Sequence, residues 1–213
     1  VNEFAPEYPG ISPRTTTHGD LDRTSSELRI AGGTLTIPTR VQYSQGENEI
    51  QNPSFSSWGP GIVYSRLFRL RSGEGVELPN QIVECDLCES WSLRNPTTLE
   101  VLLKPDVFWQ NIPPVNGRLV TVEDVVLSLE KLAKLDSDLQ VGSLNFREIE
   151  PTPSGILIHM LNPDPDILIS LANGSSRILP LEHLGVENLH PNDFVGSGPW
   201  QIQRTGSNDR FEF

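Results

Sequence analysis

Cys85 and Cys88 are the two cysteines of the chain, and two residues separate them. A Cys-x-x-Cys pair can be a redox pair, half of a metal site, a disulfide or two unrelated thiols. A structural zinc needs two further ligands, and the seven-residue spacing of His183 and His190 does not match the usual second half of such a site. The hairpin predicted after Cys88 also differs from the strand-to-helix turn of thioredoxin-like pairs. A disulfide and two buried thiols remain as alternatives, and no metal or cofactor is expected.

The other reactive side chains do not form a catalytic pattern. The sequence contains none of the nucleophile-elbow, metalloprotease or phosphate-loop signatures. His159 lies in an alternating segment opposite Ile158 and Met160, which predicts a histidine on the surface of a strand. Glu123 and Asp124 are adjacent carboxylates, but a helix N-terminus favours acidic residues without any acid-base chemistry. A hydrolase is a further alternative, but these residues supply no nucleophile-base pair for it.

Aromatic side chains at loops and element ends are the best candidates for binding a solute. Such rings can line a cleft because they combine a large apolar surface with a polar edge. Trp58 is the strongest candidate, since two serines precede it and add small hydrogen-bonding groups. Filling the core is the structural alternative for each ring, and Trp91 is assigned to the core. The candidate ligand-binding residues are Ser56, Ser57, Trp58, Tyr64, Trp109 and Trp200.

A helix over residues 121–135 is the element that the sequence predicts most directly. Its apolar residues recur at spacings of three and four, which places them on one face. Thr121 is a favourable N-cap, and Asp124 follows three residues later as in a capping box. The side chains expected to be buried are Val125, Val126, Leu129 and Leu132.

Strands and short helices are predicted around this helix. A Pro-containing turn at residues 95–97 separates two extended segments and predicts a hairpin over 91–103. Two further extended segments predict a second hairpin over 144–161. The remaining elements are a strand over 28–43 that Gly32 and Gly33 interrupt, a helix over 62–70 and a helix over 165–172.

Several segments resemble one known family when they are taken in order. Three segments are similar to the usual motifs of the family 5 extracellular solute-binding proteins: DLCESW at 86–91, KPDVFW at 104–109 and NGRLVTVEDVVLSLEKL at 116–132. These are the oligopeptide- and dipeptide-binding components of ABC importers. Four more segments match in the same order: 32–35 with the first core strand, 63–68 with the first long helix, 178–183 with an IVPKEH-like segment, and 196–200 with a GTGPY-like turn.

The sequence departs from the family pattern at three places. Cys88 stands where the family usually has a small alanine, and Cys85 stands where proline is common. Residues 112–115 look inserted into a loop of the family, so no family role is carried over to that loop.

The resemblance implies an α/β fold of mixed α+β type. The chain would be the N-terminal lobe of a type II-like periplasmic binding protein, with a mixed sheet, flanking helices and an inserted subdomain. Residues 1–27 are expected to form a flexible tether and 28–213 the lobe. The core of the lobe would be 28–43 and 144–213, with the inserted subdomain at about 44–143, and the second lobe absent.

The resemblance implies a binding protein and not an enzyme. Its function would be that of the extracytoplasmic component of an ABC importer, which binds peptides and delivers them to membrane permease subunits. The resemblance leaves peptides, nickel complexes, haem and sugars open as ligands. It implies a monomer in the periplasm or at the cell surface, with a lipid anchor on the native precursor. The net charge of −12 argues against nucleic acid as a partner. The alternative is an extracellular interaction module without a transported ligand.

Overall fold

The structure is a computed structural model that describes residues 60–73, 76, 80–138, 145–186 and 193–202. The predicted tether at 1–27, the predicted strand at 28–43, and the candidates Ser56, Ser57 and Trp58 lie outside the described residues. Within the described ranges, no helix is both long enough and apolar enough to cross a membrane.

An antiparallel four-stranded sheet is the largest element of the described chain. Its strand order is β3-β4-β6-β5, and β1 and β2 form a separate antiparallel pair. The pairs β3–β4 and β5–β6 confirm the two predicted hairpins. The strands are β1 Phe68–Leu70, β2 Val83–Cys85, β3 Cys88–Asn95, β4 Thr98–Leu103, β5 Phe146–Thr152 and β6 Gly155–Met160.

The pairing of β4 with β6 joins the two halves of this sheet. Leu99 lies opposite Ile158 and Val101 opposite Ile156, and all four side chains are buried. Because side chains alternate along a strand, His159 lies on the other face. There its ring nitrogens lie 3.3 Å from Thr98 Oγ1 and 3.0 Å from Glu150 Oε2, which confirms the prediction of a histidine on the strand surface.

The same pairing bears on the predicted domain division. β4 belongs to the predicted inserted subdomain at 44–143, whereas β6 belongs to the predicted core at 144–213. The two strands are neighbours in one sheet. The described residues on either side of position 143 therefore share one sheet, and the division of the chain stays a prediction.

Helix α1, Val122–Asp138, packs on the buried face of this sheet against β5 and β6. The prediction of a helix here is confirmed, and so is the burial of its four apolar side chains: Val125, Val126, Leu129 and Leu132. Buried Ser128 joins the helix to the backbone of Leu179, because its hydroxyl donates to the Leu179 carbonyl and accepts from the Leu179 amide. The short helix α2, Ile167–Ala172, packs against β1 and β2, and the short helix α3, Leu181–Leu184, packs against α1. α2 confirms the helix predicted over 165–172.

The helix predicted over residues 62–70, which was matched to the first long helix of the family, is wrong. A 3₁₀ turn spans Pro60–Val63, and β1 follows it. The Leu67 carbonyl accepts hydrogen bonds from the amides of Asp86 and Cys88. The apolar spacing of this segment fits a helix as well as it fits a strand. The backbone of Leu67 instead finds its hydrogen-bond partners 19 and 21 residues away in sequence, so the segment is extended.

The assignment of Trp91 to the core is also wrong, since 43% of this residue is exposed. Its ring packs edge-on against Phe68, with the ring centroids 6.4 Å apart. Trp91 belongs to β3, which lies at the edge of the described sheet. An edge strand has a neighbour on one side only, so an inward-pointing residue can remain half exposed.

We expect replacement of Leu129 by alanine to destabilise the protein by about 2–5 kcal/mol, because it leaves a cavity under α1. Leu129 is fully buried, whereas Leu127 on the same helix is 37% exposed. Leu127→Ala is therefore the matched control, with an expected cost under about 1 kcal/mol. Urea unfolding of both variants measures the difference, and equal losses would contradict the packing described for α1.

Candidate functional site

Three segments that are distant in sequence meet where the chain passes residues 63, 110 and 196–200. The Gly198 amide donates to the Val63 carbonyl at 2.9 Å, and the Gln110 amide donates to the Gly196 carbonyl at 2.9 Å. Each of these segments contains one predicted ligand-binding aromatic: Tyr64, Trp109 or Trp200. We call this meeting point the Gln110 junction.

The side chain of Gln110 makes most of the remaining contacts of the junction. Its Oε1 accepts from the Gly196 amide at 3.2 Å. Its Nε2 donates to the carbonyls of Gly198 and Trp200. One amide side chain therefore hydrogen-bonds to three backbone groups within five residues, which fixes the path of this segment up to Trp200.

The glycines of this segment are required by close packing. A Cβ on Gly196 or Gly198 would overlap the carbonyl oxygen of Val63. Residues 197–199 form a bend, within the segment that was matched to a GTGPY-like turn. The Gly-Ser-Gly-Pro pattern therefore serves the approach of one backbone to another.

The predicted ligand-binding aromatics of the described chain come together at this junction but differ in exposure. Trp200 is 52% exposed, whereas Tyr64 and Trp109 are 3% and 2% exposed. Only Trp200 among these three presents substantial surface to solvent. Contact of any of them with a solute stays a prediction.

Tyr64 and Trp109 have the neighbours that buried aromatic rings need. The Trp109 indole Nε1 donates to Asp124 Oδ2 at 3.3 Å, and the Arg118 guanidinium lies 5.9 Å from the ring centre. The Tyr64 ring lies 6.1 Å from that of Phe194. These contacts support a structural role for both rings in this conformation.

Asp124 is the most extensively bonded side chain below the junction. It is fully buried and accepts from Arg118, which reaches both carboxylate oxygens at 2.7 Å. It also accepts from the amide and hydroxyl of Thr121 and from the Leu181 amide at 2.9 Å. The Asp124 amide in turn donates to the Thr121 hydroxyl, which confirms the predicted capping box.

Arg118 extends this network to Glu182 on α3. Its guanidinium donates to both carboxylate oxygens of Glu182, at 2.9 and 2.6 Å. Arg118 therefore joins the loop before α1, the first turn of α1 and α3. We call the group of Arg118, Thr121, Asp124 and Glu182 the Asp124 network.

The network sets the protonation of its members. Burial alone raises the pKa of Asp124, but hydrogen bonds from Arg118, Thr121 and Leu181 outweigh it and hold the pKa below its ordinary value. The hydrogen bond from Arg118 likewise lowers the pKa of Glu182. The hydrogen bond that Arg118 donates to Asp124 is the main cause that raises the pKa of Arg118, and its hydrogen bond to Glu182 is the second cause. All three groups are therefore charged at neutral pH.

Sequence reasoning missed Gln110, Arg118 and Glu182. It assigned Asp124 to a helix cap, which the structure contains. The carboxylate also accepts from the guanidinium of Arg118 and from the amide of Leu181, which is 57 residues away. Glu182 lies 64 residues from Arg118, so no local spacing could have paired them. The only available signal was the match of residues 116–132 and 178–183 to one family.

Cys85 and Cys88 form a disulfide, with their Cα atoms 5.0 Å apart. Of the alternatives left open by the sequence, this is the one in the structure. The bond joins the end of β2 to the start of β3, and Lys104 Nζ donates to the Asp86 carbonyl between them at 2.6 Å. In the part of the chain that the structure describes, no three His, Cys, Asp or Glu side chains are grouped as metal ligands.

The comparisons with known sequences give a partial match. No protein-family model matches the chain. The HTH-type transcriptional regulator SgrR of Escherichia coli K12 is 26% identical over 148 residues, which are 68% of this chain and 24% of that protein. The chain thus spans about a quarter of the length of the curated relatives it matches.

Solved structures match most of the chain. NikA from Staphylococcus aureus in complex with Ni(L-His)2 has a TM-score of 0.59 and 25% identity, covering 78% of this chain and 31% of NikA. MoaA of A. tumefaciens R10 in complex with mannopinic acid has a TM-score of 0.60 and 22% identity, covering 78% and 34%. A dipeptide-binding protein from Pseudoalteromonas sp. SM9913 in complex with Met-Leu has a TM-score of 0.58 and 16% identity, covering 76% and 34%.

The chain has the fold of the family 5 extracellular solute-binding proteins. The predicted resemblance and the α/β class are therefore confirmed. The matched solved structures are binding proteins. In this solute-binding-protein fold, the Gln110 junction and the Asp124 network join segments that are distant in sequence, such as those around Val63 and Gly198.

We expect Asp124→Asn to destabilise the protein by about 3–5 kcal/mol, because it leaves the Arg118 cation without its most buried partner. Glu123→Gln is the matched control, since Glu123 is the exposed neighbour in the same helical turn. Its expected cost is under about 1 kcal/mol. Thermal and urea unfolding measure both, and a mild effect of Asp124→Asn would show that the network adds little stability.

The pH dependence of stability should report His183. This residue is 4% exposed, and burial lowers its pKa below the ordinary 6.5, with Lys131 acting in the same direction and Glu182 and Asp193 against it. The unfolded state therefore binds the proton first as the pH falls. The contribution of neutral His183 to stability is fully present above pH 6.5, and it is lost progressively as the pH falls below that value.

His183→Gln should flatten this decrease between neutral pH and about pH 5, because glutamine does not titrate. The carboxylates of Asp124 and Glu182 have lowered pKa values, so their contributions are lost only below their ordinary values of 3.8 and 4.5. Urea unfolding at a series of pH values separates the two windows. An unchanged slope in His183→Gln would exclude His183 as its source.

Proposed function

We propose that this chain is part of the extracytoplasmic solute-binding component of an ABC importer and that it is not an enzyme. The observation that carries the proposal is the match of 78% of the chain to NikA from Staphylococcus aureus, which was solved with Ni(L-His)2. Proteins solved with mannopinic acid and with Met-Leu share the fold. The common feature of these neighbours is a small bound solute.

A peptide is the solute class that we propose for this chain, with other small solutes as alternatives. The motifs at 86–91 and 116–132 support it as motifs of the family 5 solute-binding proteins, whose members include the oligopeptide- and dipeptide-binding components of ABC importers. The chain covers 31% to 34% of the three solved structures reported above. We therefore propose that the solute is enclosed between this lobe and a second lobe of the natural protein.

The proposed partners follow from the same role. The loaded protein would deliver its solute to the permease subunits of the importer, and would act as a monomer. Its place would be the periplasm or the cell surface, with a lipid anchor on the native precursor. Nucleic acid is not a proposed partner, since the net charge is −12.

The match to the regulator SgrR favours a second candidate function. A solute-binding lobe could serve as the solute-responsive part of a transcriptional regulator, because 68% of this chain aligns with 24% of that protein. The two functions place the lobe in different compartments. The disulfide between Cys85 and Cys88 supports the exported role, since disulfides persist in oxidising compartments.

Solute binding can be tested by titrating the full-length gene product and the 213-residue chain with Met-Leu and with Ni(II) plus L-histidine, followed by calorimetry. We expect the full-length protein to bind Met-Leu, and the 213-residue chain to bind it at least about tenfold more weakly, because one wall encloses less of the solute. Equal affinity would place the whole site within these residues. No binding of either probe would count against the proposed solute classes.

The compartment can be tested in intact cells of the source organism. We expect Cys85 and Cys88 to resist alkylation until a reductant is added, and the protein to fractionate outside the cytoplasm. A cytoplasmic protein whose two thiols alkylate at once would favour the regulator instead.

A further inference from the structure

We infer that Gln110 is a positioning residue that holds Trp200 as a preformed aromatic platform for an apolar or aromatic side chain of a bound peptide. This inference rests on the proposed function and adds to it a residue that sequence reasoning did not single out. Gln110 would not touch the peptide. It would act through the backbone of Trp200.

The first support is the difference between the backbone and the side chain of Trp200. Its carbonyl accepts a hydrogen bond from Gln110 Nε2, so its main chain is fixed. The residue is nevertheless 52% exposed, in contrast to Trp109 next to Gln110, which is 2% exposed. A large ring on a fixed backbone with free surface can contact a solute without first being ordered.

The second support is the number of constraints on the short segment before Trp200. Gln110 bonds to both the amide and the carbonyl of Gly196 and to the carbonyl of Gly198. The Gly198 amide bonds to the Val63 carbonyl, and neither glycine has room for a Cβ. Plain chain reversal does not need this many contacts, whereas fixing the residue that follows the bend does.

The third support is that Gln110 itself rests on a rigid base. Its neighbour Trp109 is buried and donates to Asp124, the centre of the Asp124 network. The position of the amide is therefore set by buried, charge-assisted contacts below it. Rigid support of this kind is what a binding residue needs to keep its geometry.

The experiment is a double-mutant cycle in the full-length protein with Met-Leu as the probe. Gln110→Ala and Trp200→Ala are each expected to weaken binding by about tenfold, the loss typical of one aromatic contact. If Gln110 acts through Trp200, then the double variant should bind no more weakly than Trp200→Ala alone. Gln81→Ala and Trp91→Phe are the matched controls, since both residues are exposed and outside the junction, and they should bind like the parent.

A second readout needs no ligand and tests whether Gln110 positions the Trp200 ring. The protein is labelled with 5-fluorotryptophan, and the Trp200 fluorine resonance is assigned by its absence in Trp200→Phe. We expect Gln110→Ala to move this resonance towards the solvent-exposed value, while the Trp91 resonance stays in place. Thermal unfolding of Gln110→Ala confirms that the variant is folded.

The outcomes separate this inference from the proposed function. Binding of Met-Leu with additive losses in the double variant, or with an unmoved Trp200 resonance in Gln110→Ala, overturns the positioning role and leaves the function standing. Loss of binding in Trp200→Ala, no further loss in the double variant, and a moved resonance support it. Absence of Met-Leu binding in the parent protein counts against the peptide as ligand and therefore overturns the platform for a peptide, whatever the resonance shows.

Discussion

A buried carboxylate needs to be neutralised and hydrogen-bonded, and the described part of this lobe depends on how that need is met at Asp124. An unpaired charge in this position would cost several kcal/mol, so the partners must be brought to it by folding. Arg118 supplies the charge, and amides from the start of α1 and from Leu181 supply further hydrogen bonds. The loop before α1, the helix itself and α3 are therefore tied to one atom group. The position of the surfaces on these elements therefore depends on the Asp124 carboxylate.

The Gln110 junction illustrates this dependence. Trp109 bonds to Asp124 on the buried side, and the next residue along the chain bonds to the segment around Gly196 and Gly198 on the other. Two successive residues therefore bond in two directions, one to the buried network and one to the junction. Two hydrogen bonds therefore link Trp200 to the buried Asp124–Arg118 ion pair: one from Gln110 to the Trp200 carbonyl, and one from Trp109 to Asp124. Binding proteins benefit from such support, because a solute then meets groups that are already ordered.

The aromatic candidates differ in exposure because of the segments in which they lie. Aromatic residues at the ends of elements can either fill the space between layers or face a cleft, and the sequence pattern is the same for both. Tyr64 and Trp109 fill the interior, where Phe194 and Arg118 lie against their rings. Trp200 follows the bend at 197–199 and is 52% exposed. Exposure of a ring is therefore decided by the segment that carries it.

The sequence by itself determined the elements whose stabilisation is local or periodic. Helix α1, its cap at Thr121 and Asp124, and the hairpins β3–β4 and β5–β6 each depend on residues within a few positions of one another, and all were predicted. The match of several short motifs in order gave the fold family. Only the tertiary structure decided that residues 68–70 are a strand, because their partners lie in β2. It also decided that Trp91 is half exposed at a sheet edge, and that Gln110 and Arg118 bond to residues 64 to 90 positions away. Contacts over such distances depend on how layers pack, and no spacing along the chain encodes them.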